Sequence, residues 1–371
     1  MNNQIYSVIM AGGKGTRFWP LSRSQRPKQL LKLLSSKSLI SETASRTVPV
    51  SGRRRTLVVT VAEQLNAIRK ELPTLPRENF LAEPQGKNTA PCIGLAAIEV
   101  AAQNRDAVMI ILPADHWVAD VPAFQRTLHA AVELALRHNN LVTIGIKPDY
   151  PETGFGYIVK DKFVETRRGT KAYRVKNFTE KPKPAKALKL VRQGSLWNSG
   201  IFVWKASTLL DLLRRYQPDI SRGLDVISKA AGGRPLSTAG PRLRAIISRE
   251  YRKMPNISID YAVLEKAGAE GKVQTLQADF GWNDVGSWAA VHRMSHRDAN
   301  GNAGNGKWLS LKAENCLIHG SDRLVVLLGL KDTVVVDTPD ALLVGDLGRS
   351  QEVKDLVVEL QKKGYGSYTI K

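Results

Sequence analysis

The residues with the clearest capacity for chemistry come early, in Met10-Ala-Gly-Gly-Lys-Gly-Thr-Arg-Phe-Trp-Pro-Leu-Ser-Arg23. Gly12, Gly13 and Gly15 leave no side chain where a backbone must approach a ligand closely, and successive N–H groups of such a loop form an anion-binding concavity. Lys14 and Arg17 lie inside the loop, and Arg26 and Lys28 follow it in Arg26-Pro-Lys-Gln29. Four cations around a glycine-rich turn suit a triphosphate. The familiar fingerprints do not fit: no Gly-Lys-Ser/Thr stands at the P-loop spacing, and Gly13-Lys-Gly15-Thr-Arg-Phe18 lacks the last glycine of the dinucleotide motif. A tight strand-to-helix turn that merely contains glycines is the plainer reading, and the cations weigh against it.

A loop of this kind needs a strand to end at it. Ile5–Met10, Leu57–Val61, Val108–Leu112 and Leu141–Ile146 are short apolar runs, separated by helical patterns at Ser38–Thr47, Ala62–Glu71, Thr89–Gln103 and Phe124–His138. This alternation predicts an α/β fold with a doubly wound, mainly parallel sheet, whose ligands bind beyond the carboxyl ends of the strands. From Gly154 on, strands at Tyr157–Lys160, Tyr173–Glu180, Ile201–Trp204 and Val273–Phe280 mix with helices at Pro184–Gln193, Ser207–Tyr216 and Ile259–Lys266, an elaboration of the same sheet. The run Asp298-Ala-Asn-Gly-Asn-Ala-Gly-Asn-Gly306 reads as a linker. Short strands then recur at Cys316–His319, Leu324–Leu328, Thr333–Asp337 and Ala341–Gly345, before a helix at Gln351–Lys362. The expected division is 1–295, a linker at 296–306, and a small β-rich domain at 307–371.

The 371 residues carry 55 Lys and Arg against 34 Asp and Glu, a net charge of +21. The basic residues are dispersed and follow no RNP, zinc-finger or helix-turn-helix pattern, so phosphorylated metabolites are better expected partners than specific nucleic acid. Cys92 and Cys316 read as buried small hydrophobes in a reducing compartment. No apolar run reaches the ~18 residues of a membrane span, and the N-terminus has no basic, apolar leader. A cytoplasmic protein without a membrane partner is expected.

The glycine loop followed by Pro-Lys-Gln29 resembles the signature of sugar-1-phosphate nucleotidyltransferases. Its Trp-Pro-Leu-Ser22 form is similar to that of mannose-1-phosphate guanylyltransferases, also called GDP-mannose pyrophosphorylases. The resemblance extends through Glu83-Pro-Gln-Gly-Lys-Asn-Thr-Ala-Pro91, Leu112-Pro-Ala-Asp-His116, Pro151-Glu-Thr-Gly-Phe-Gly-Tyr157, Phe178-Thr-Glu-Lys-Pro182, Trp197-Asn-Ser-Gly-Ile-Phe202, Ser258-Ile-Asp-Tyr-Ala-Val263 and Gly281-Trp-Asn-Asp-Val-Gly-Ser-Trp288. It implies the Rossmann-like nucleotidyltransferase type of sheet with a β-helix-like C-terminal domain.

The resemblance also implies roles. Asp115, just past the strand Val108–Leu112, and Asp284 are the expected Mg2+ ligands, two carboxylates being what magnesium takes when phosphates complete its shell. Each has a structural alternative, a helix cap for Asp115 and a turn residue for Asp284. Gly12, Gly13, Lys14, Gly15, Thr16, Arg17 and Lys28 are expected on the nucleotide. Arg17 would hold the β and γ phosphates and Lys28 the α-phosphate. Glu83, Gly86 and Asn88 are expected near the base, although a turn feeding a buried helix that Thr89 caps explains them equally. On the sugar, Glu180 and Asn198 would meet hydroxyls, Gly154, Gly156 and Tyr157 would line the ring, and Lys181 would meet the sugar phosphate, unless Lys181 merely opens a solvated basic face.

The implied reaction is attack by mannose 1-phosphate on the α-phosphorus of GTP, giving GDP-mannose and pyrophosphate. The attacking phosphate is already an anion, so no general base is required. A sister enzyme for another base or sugar, such as glucose 1-phosphate, or a non-catalytic nucleotide-sugar-binding paralogue would use many of the same residues. Longer members of the family continue into a cupin-type phosphomannose isomerase domain, and a single activity is expected for this chain. A homo-oligomer remains open.

Overall fold

A computed structural model describes residues 4–13 and 15–370. They divide into two compact units that interleave in sequence. The first runs up to Gly12 and takes in Thr43–Ala114 and Val118–Trp282; the second takes in Gly13–Glu42, Asp115–Trp117 and the chain from Asn283 on.

The first unit is built on a nine-stranded sheet: β1 (Ile5–Met10), β2 (Thr56–Val61), β3 (Phe80–Glu83), β4 (Val108–Pro113), β5 (Leu141–Ile146), β6 (Tyr157–Arg167), β7 (Thr170–Thr179), β8 (Leu196–Lys205) and β9 (Val273–Ala278). The order is β3-β2-β1-β4-β8-β5-β9-β7-β6. The β3-β2-β1-β4 half is parallel, with Ser7 opposite both Thr56 and Ile110. Beyond it the sheet is mixed, because β8 enters antiparallel between β4 and β5 and the β6–β7 hairpin closes the edge. Every residue of β5 is buried, and β2 and β4 are buried up to their last residue, which a sheet covered on both faces requires.

One face carries Val8, Leu57, Met109 and Trp204 against the helices Thr89–Gln103, Ala206–Tyr216, Pro218–Ala231 and Pro241–Lys253. The other carries Val108, Ile110 and Ile144 against the helix Val121–His138 through Phe124 and Leu128. Residues Ala90–Val100 of Thr89–Gln103 are all buried, so the helix needs Gly94, where a Cβ would come within 2.7 Å of Leu224. Overpacking there costs ~1–3 kcal/mol. No helix among the described residues is long and apolar enough to cross a membrane.

The second unit contains β10 (Ala303–Asn305), β11 (Trp308–Leu311), β12 (Leu317–His319), β13 (Val325–Leu328), β14 (Thr333–Asp337) and β15 (Leu342–Asp346). β10, β12 and β14 stack in parallel, with Ala303 opposite Leu317 and Leu317 opposite Val334; β11 pairs with β13, and β15 closes antiparallel on β14. Parallel rungs of this kind are β-helix-like. Part of the expected linker is built in: Ala303–Asn305 is a rung, and the buried Asn302 side chain donates to Ala313 O and accepts from Cys316 N. Asn and Gly supply the turns between rungs there rather than freedom.

The same unit holds the glycine loop. Phe18, Trp19, Leu31 and Leu39 share a core with Trp288, Leu317, Val334, Val336 and Val357, and the Phe18 and Trp288 rings meet edge-on at 5.1 Å. Arg23 grips Asp340 through two bonds of 2.6 and 2.7 Å, and Trp19 Nε1 donates to Tyr368 O at 2.9 Å.

Candidate active site

In the second unit the loop turns at Gly15, whose φ of 63° favours glycine. A Cβ there would stand 2.2 Å from Lys28 Cβ, so the missing side chain also makes room for the lysine. Thr16–Phe18 form one 3-10 turn, which presents Thr16 and Arg17 while Phe18 anchors in the core. Lys28 begins a second such turn, Lys28–Leu30, and is buried.

Lys28 Nζ donates to Asp115 Oδ2 at 2.7 Å and to Asp284 O at 2.6 Å. Burial pushes the Asp115 carboxyl up, but the Lys28 ammonium and His116 together hold it below the usual carboxylate range. The turn that carries Asp284 is closed by Val285 N donating to Asn283 Oδ1 at 2.7 Å, and Gly286 leaves room for the Asp284 carboxylate, since a Cβ there would lie 2.7 Å from Oδ2. Gly15, Thr16, Arg17, Lys28, Asp115 and Asp284 line a single cavity of about 340 Å³.

Lys354 also lines that cavity. Sequence reasoning missed it, because a lysine at the start of the amphipathic helix Val353–Lys362 carries no signal beyond that of a solvated face. Lys14 lies outside the described residues. Gly13 has nothing within 4 Å of an added Cβ.

The first unit holds the residues expected at the base and the sugar. Glu83 ends β3 and turns inward, accepting from the Tyr251 hydroxyl. Burial pushes its carboxyl up to about 7 against the hydrogen bonds from Tyr251 and Cys92. Its oxygen Oε2 would be 3.4 Å from a Cβ on Gly12. Glu83 is therefore engaged inside the fold, where a base cannot reach its side chain. Asn88, rather than Thr89, caps the helix Thr89–Gln103: at φ 64° its Oδ1 accepts from Thr89 N at 2.9 Å, leaving the exposed amide NH2 to donate. Gly86 is exposed beside it. Lys87 ties this loop to the carbonyls of Arg252 and Met254 at the end of Pro241–Lys253.

The sugar-side residues gather around Gly156. A Cβ at Gly156 would stand 2.5 Å from Glu180 Oε2 and 3.4 Å from Asn198 Cβ. Asn198 N donates to Gly156 O at 2.8 Å, and Lys181 Nζ lies 3.1 Å from Glu180 Oε1. Lys181 adopts a φ of 42° and donates its N–H to Phe155 O at 3.2 Å, which leaves its ammonium exposed. Tyr157 faces away: it is fully buried, and its hydroxyl donates to Glu152 O at 2.8 Å. Gly154 N donates to Glu152 Oε1 at 2.8 Å, which fixes the loop. Asp260, absent from the expected set, lies half-buried beside Glu180 and Asn198, and burial and the Glu180 charge push its carboxyl up to about 6.

Residues 6–301 match the family described as Nucleotidyl transferase, and residues 306–360 match the MannoseP isomerase/GMP-like beta-helix domain. The chain belongs to the nucleotidyl transferase family. This nucleotidyl transferase is 39% identical over 374 residues to the xanthan biosynthesis protein XanB of Xanthomonas campestris, covering 99% of this chain and 75% of that protein. It is 37% identical over 373 residues to the mannose-1-phosphate guanylyltransferase of Escherichia coli, covering 98% and 74%. The solved structure described as mannose-1-phosphate geranyltransferase from Thermus thermophilus superposes with a TM-score of 0.84 at 33% identity, covering 96% of this chain and 99% of that one.

Proposed function

We propose that this chain is a mannose-1-phosphate guanylyltransferase, which joins GTP and mannose 1-phosphate into GDP-mannose with release of pyrophosphate. The observation that carries the reading is the cavity in which Lys28, Arg17 and the Gly15 turn meet the Asp115 and Asp284 carboxylates. A glycine turn with two cations and two carboxylates suits a metal-bound polyphosphate. The relatives named above supply the sugar and the base.

Arg17 holds the β and γ phosphates, and Lys28, fixed between Asp115 and the Asp284 carbonyl, holds the α-phosphate as charge builds on it. Lys181 meets the phosphate of the incoming sugar, while Glu180 and Asn198 meet ring hydroxyls. Gly12, Gly13, Lys14 and Thr16 also serve the nucleotide, and Gly86 and Asn88 serve the base. The sugar phosphate is itself an anion, so the residues position and neutralise and no side chain has to take a proton.

A divalent cation suits the pair Asp115 and Asp284, an all-oxygen donor set that leaves positions for phosphate and water, and magnesium is the ion we propose. When bound, it supplies charge neutralisation at the α-phosphate. Among the described residues no three His, Cys, Asp or Glu side chains gather as a closed cage, in keeping with a site completed by substrate. The reading includes a cytoplasmic setting, a catalytic region at 1–295 and a β-helix-like domain that begins with the rung Ala303–Asn305.

The test is to supply GTP and mannose 1-phosphate with and without magnesium and to follow GDP-mannose and pyrophosphate, with ATP, UTP, dTTP and glucose 1-phosphate as competitors. GDP-mannose as the main product supports the reading. Preference for another triphosphate or sugar phosphate overturns it in favour of a sister transferase.

A further inference from the structure

The motif Ser258-Ile-Asp-Tyr-Ala-Val263 has no part in the roles above, yet it delivers a carboxylate to the sugar side. Asp260–Leu264 form one π-helical turn, a local irregularity that recurs at functional sites. Asp260 Oδ1 accepts from Asn198 Nδ2 at 2.8 Å. The oxygen of the same amide already accepts from Gly200 N at 3.2 Å and Thr143 Oγ1 at 3.3 Å. An amide oxygen has two lone pairs, so Asn198 is left able to donate and not to accept. Acceptors for ring hydroxyls must then come from elsewhere.

Glu180 and Asp260 provide them. Glu180 is met by Lys181 at one oxygen, and the absent side chain of Gly156 makes room for its other oxygen. Asn198 lies between the two, bonded to Asp260 and packed with Glu180 around Gly156, and the Glu180 charge is felt at Asp260, so the pair of carboxylates has more lone pairs than the Asn198 amide and the Lys181 ammonium fill. A polyol brings O–H donors without bringing charge.

We propose that Asp260 accepts a hydrogen bond from a ring hydroxyl of the sugar 1-phosphate and, together with Glu180, sets which arrangement of hydroxyls the chain takes. The proposal rests on the sugar-phosphate reading given above. Losing one charged acceptor that meets a desolvated hydroxyl lowers affinity about ten- to a hundredfold.

The experiment compares wild type with Asp260→Asn on mannose 1-phosphate and its monodeoxy analogues, with circular dichroism as the check on folding. Asp260→Asn should raise the KM for mannose 1-phosphate about ten- to a hundredfold and leave the KM for GTP unchanged. One monodeoxy analogue should be penalised by that factor in wild type and hardly at all in the variant.

The charged groups around Asp260 are Glu180 and Lys181, with Glu265 beyond Glu180. Protonation of Asp260 removes the acceptor, so the ratio of wild-type to variant kcat/KM should fall towards one as pH drops through about 6. Taking the ratio cancels the substrate phosphate's own titration, near ~6. If Asp260→Asn fails to fold, Asp260→Ser carries the comparison, and wild type alone must show a deoxy penalty that shrinks between pH 8 and 5. An unchanged KM, or equal penalties for every analogue in both proteins, overturns the assignment while wild type remains active. A wild type that converts no sugar 1-phosphate overturns the functional reading, and the assignment with it.

Discussion

In the second unit a buried ammonium stands between a carboxylate and a carbonyl, whereas in the first unit two carboxylates stand near each other with few donors. Lys28 and Asp115 offset each other, so the Asp115 carboxyl is held below its usual range. Glu180 and Asp260 oppose each other, and Asp260 is pushed up to about 6. The contrast follows from what each cluster is proposed to bind. A polyphosphate with its metal brings charges of both signs, so the protein holds a matched pair ready to be re-partnered. A sugar ring brings only neutral donors, so the protein stores unmet acceptors.

The largest effect expected from breaking this contrast is at Asp115. Asp115→Asn keeps the shape but removes a proposed metal ligand and the partner of Lys28. Turnover should fall by several kcal/mol of transition-state stabilisation, a factor of roughly a hundred or more, with the fold intact. Wild-type turnover at equal magnesium would remove Asp115 from the chemistry.

The two lysines sharpen the comparison. Lys28→Ala should act chiefly on kcat, because its phosphate gains charge in the transition state, whereas Lys181→Ala should raise the KM for mannose 1-phosphate about ten- to a hundredfold. Equal modest losses towards both substrates would reduce both residues to contributors to the general field of a +21 chain. Gly15→Ala tests the space rather than the charge. Its Cβ would collide with Lys28 at a positive φ, so the KM for GTP should rise severalfold and the melting temperature should drop.

The smallest effect is at Glu83, which is buried and bonded to Tyr251. Its carboxyl titrates near 7 when folded and lower when unfolded, so the neutral form favours the fold. That stability is fully present below the ordinary carboxylate range and is lost as pH rises through about 7. Glu83→Gln should therefore melt up to a few degrees higher than wild type at pH 8 and no higher at pH 5, by calorimetry.

Apolar runs made the sheet legible: Ile5–Met10 and Leu141–Ile146 are strands from end to end, the first mostly and the second wholly buried, and such runs leave little room for ambiguity. The antiparallel entry of β8 was not legible, since strand order depends on packing rather than on any one segment. Asn and Gly around residues 298–306 suggested a linker, and only the stacking partner Leu317–His319 makes Ala303–Asn305 a rung. At the site, residue types pointed to the cavity around Lys28, Asp115 and Asp284 but not to the direction of each side chain. Tyr157 and Glu83 turn inward to Glu152 and Tyr251. Asp260 stood inside one of the motifs that carry the resemblance, but its neighbours in sequence gave no role for it; only the bond from Asn198, 62 positions away, brings it to the sugar side.

The anchoring of the glycine loop sets a timetable for synthesis. Trp19 closes on Tyr368 across 349 positions and Arg23 on Asp340 across 317, so the loop is among the first segments made and among the last to find its partners. At ribosomal rates of ~5–20 residues per second it waits for tens of seconds, with Phe18 and Trp19 lacking their final cover. The nascent chain therefore passes through an interval in which the nine-stranded sheet has all its strands but the Gly15 turn is unformed, and chaperone demand should concentrate there.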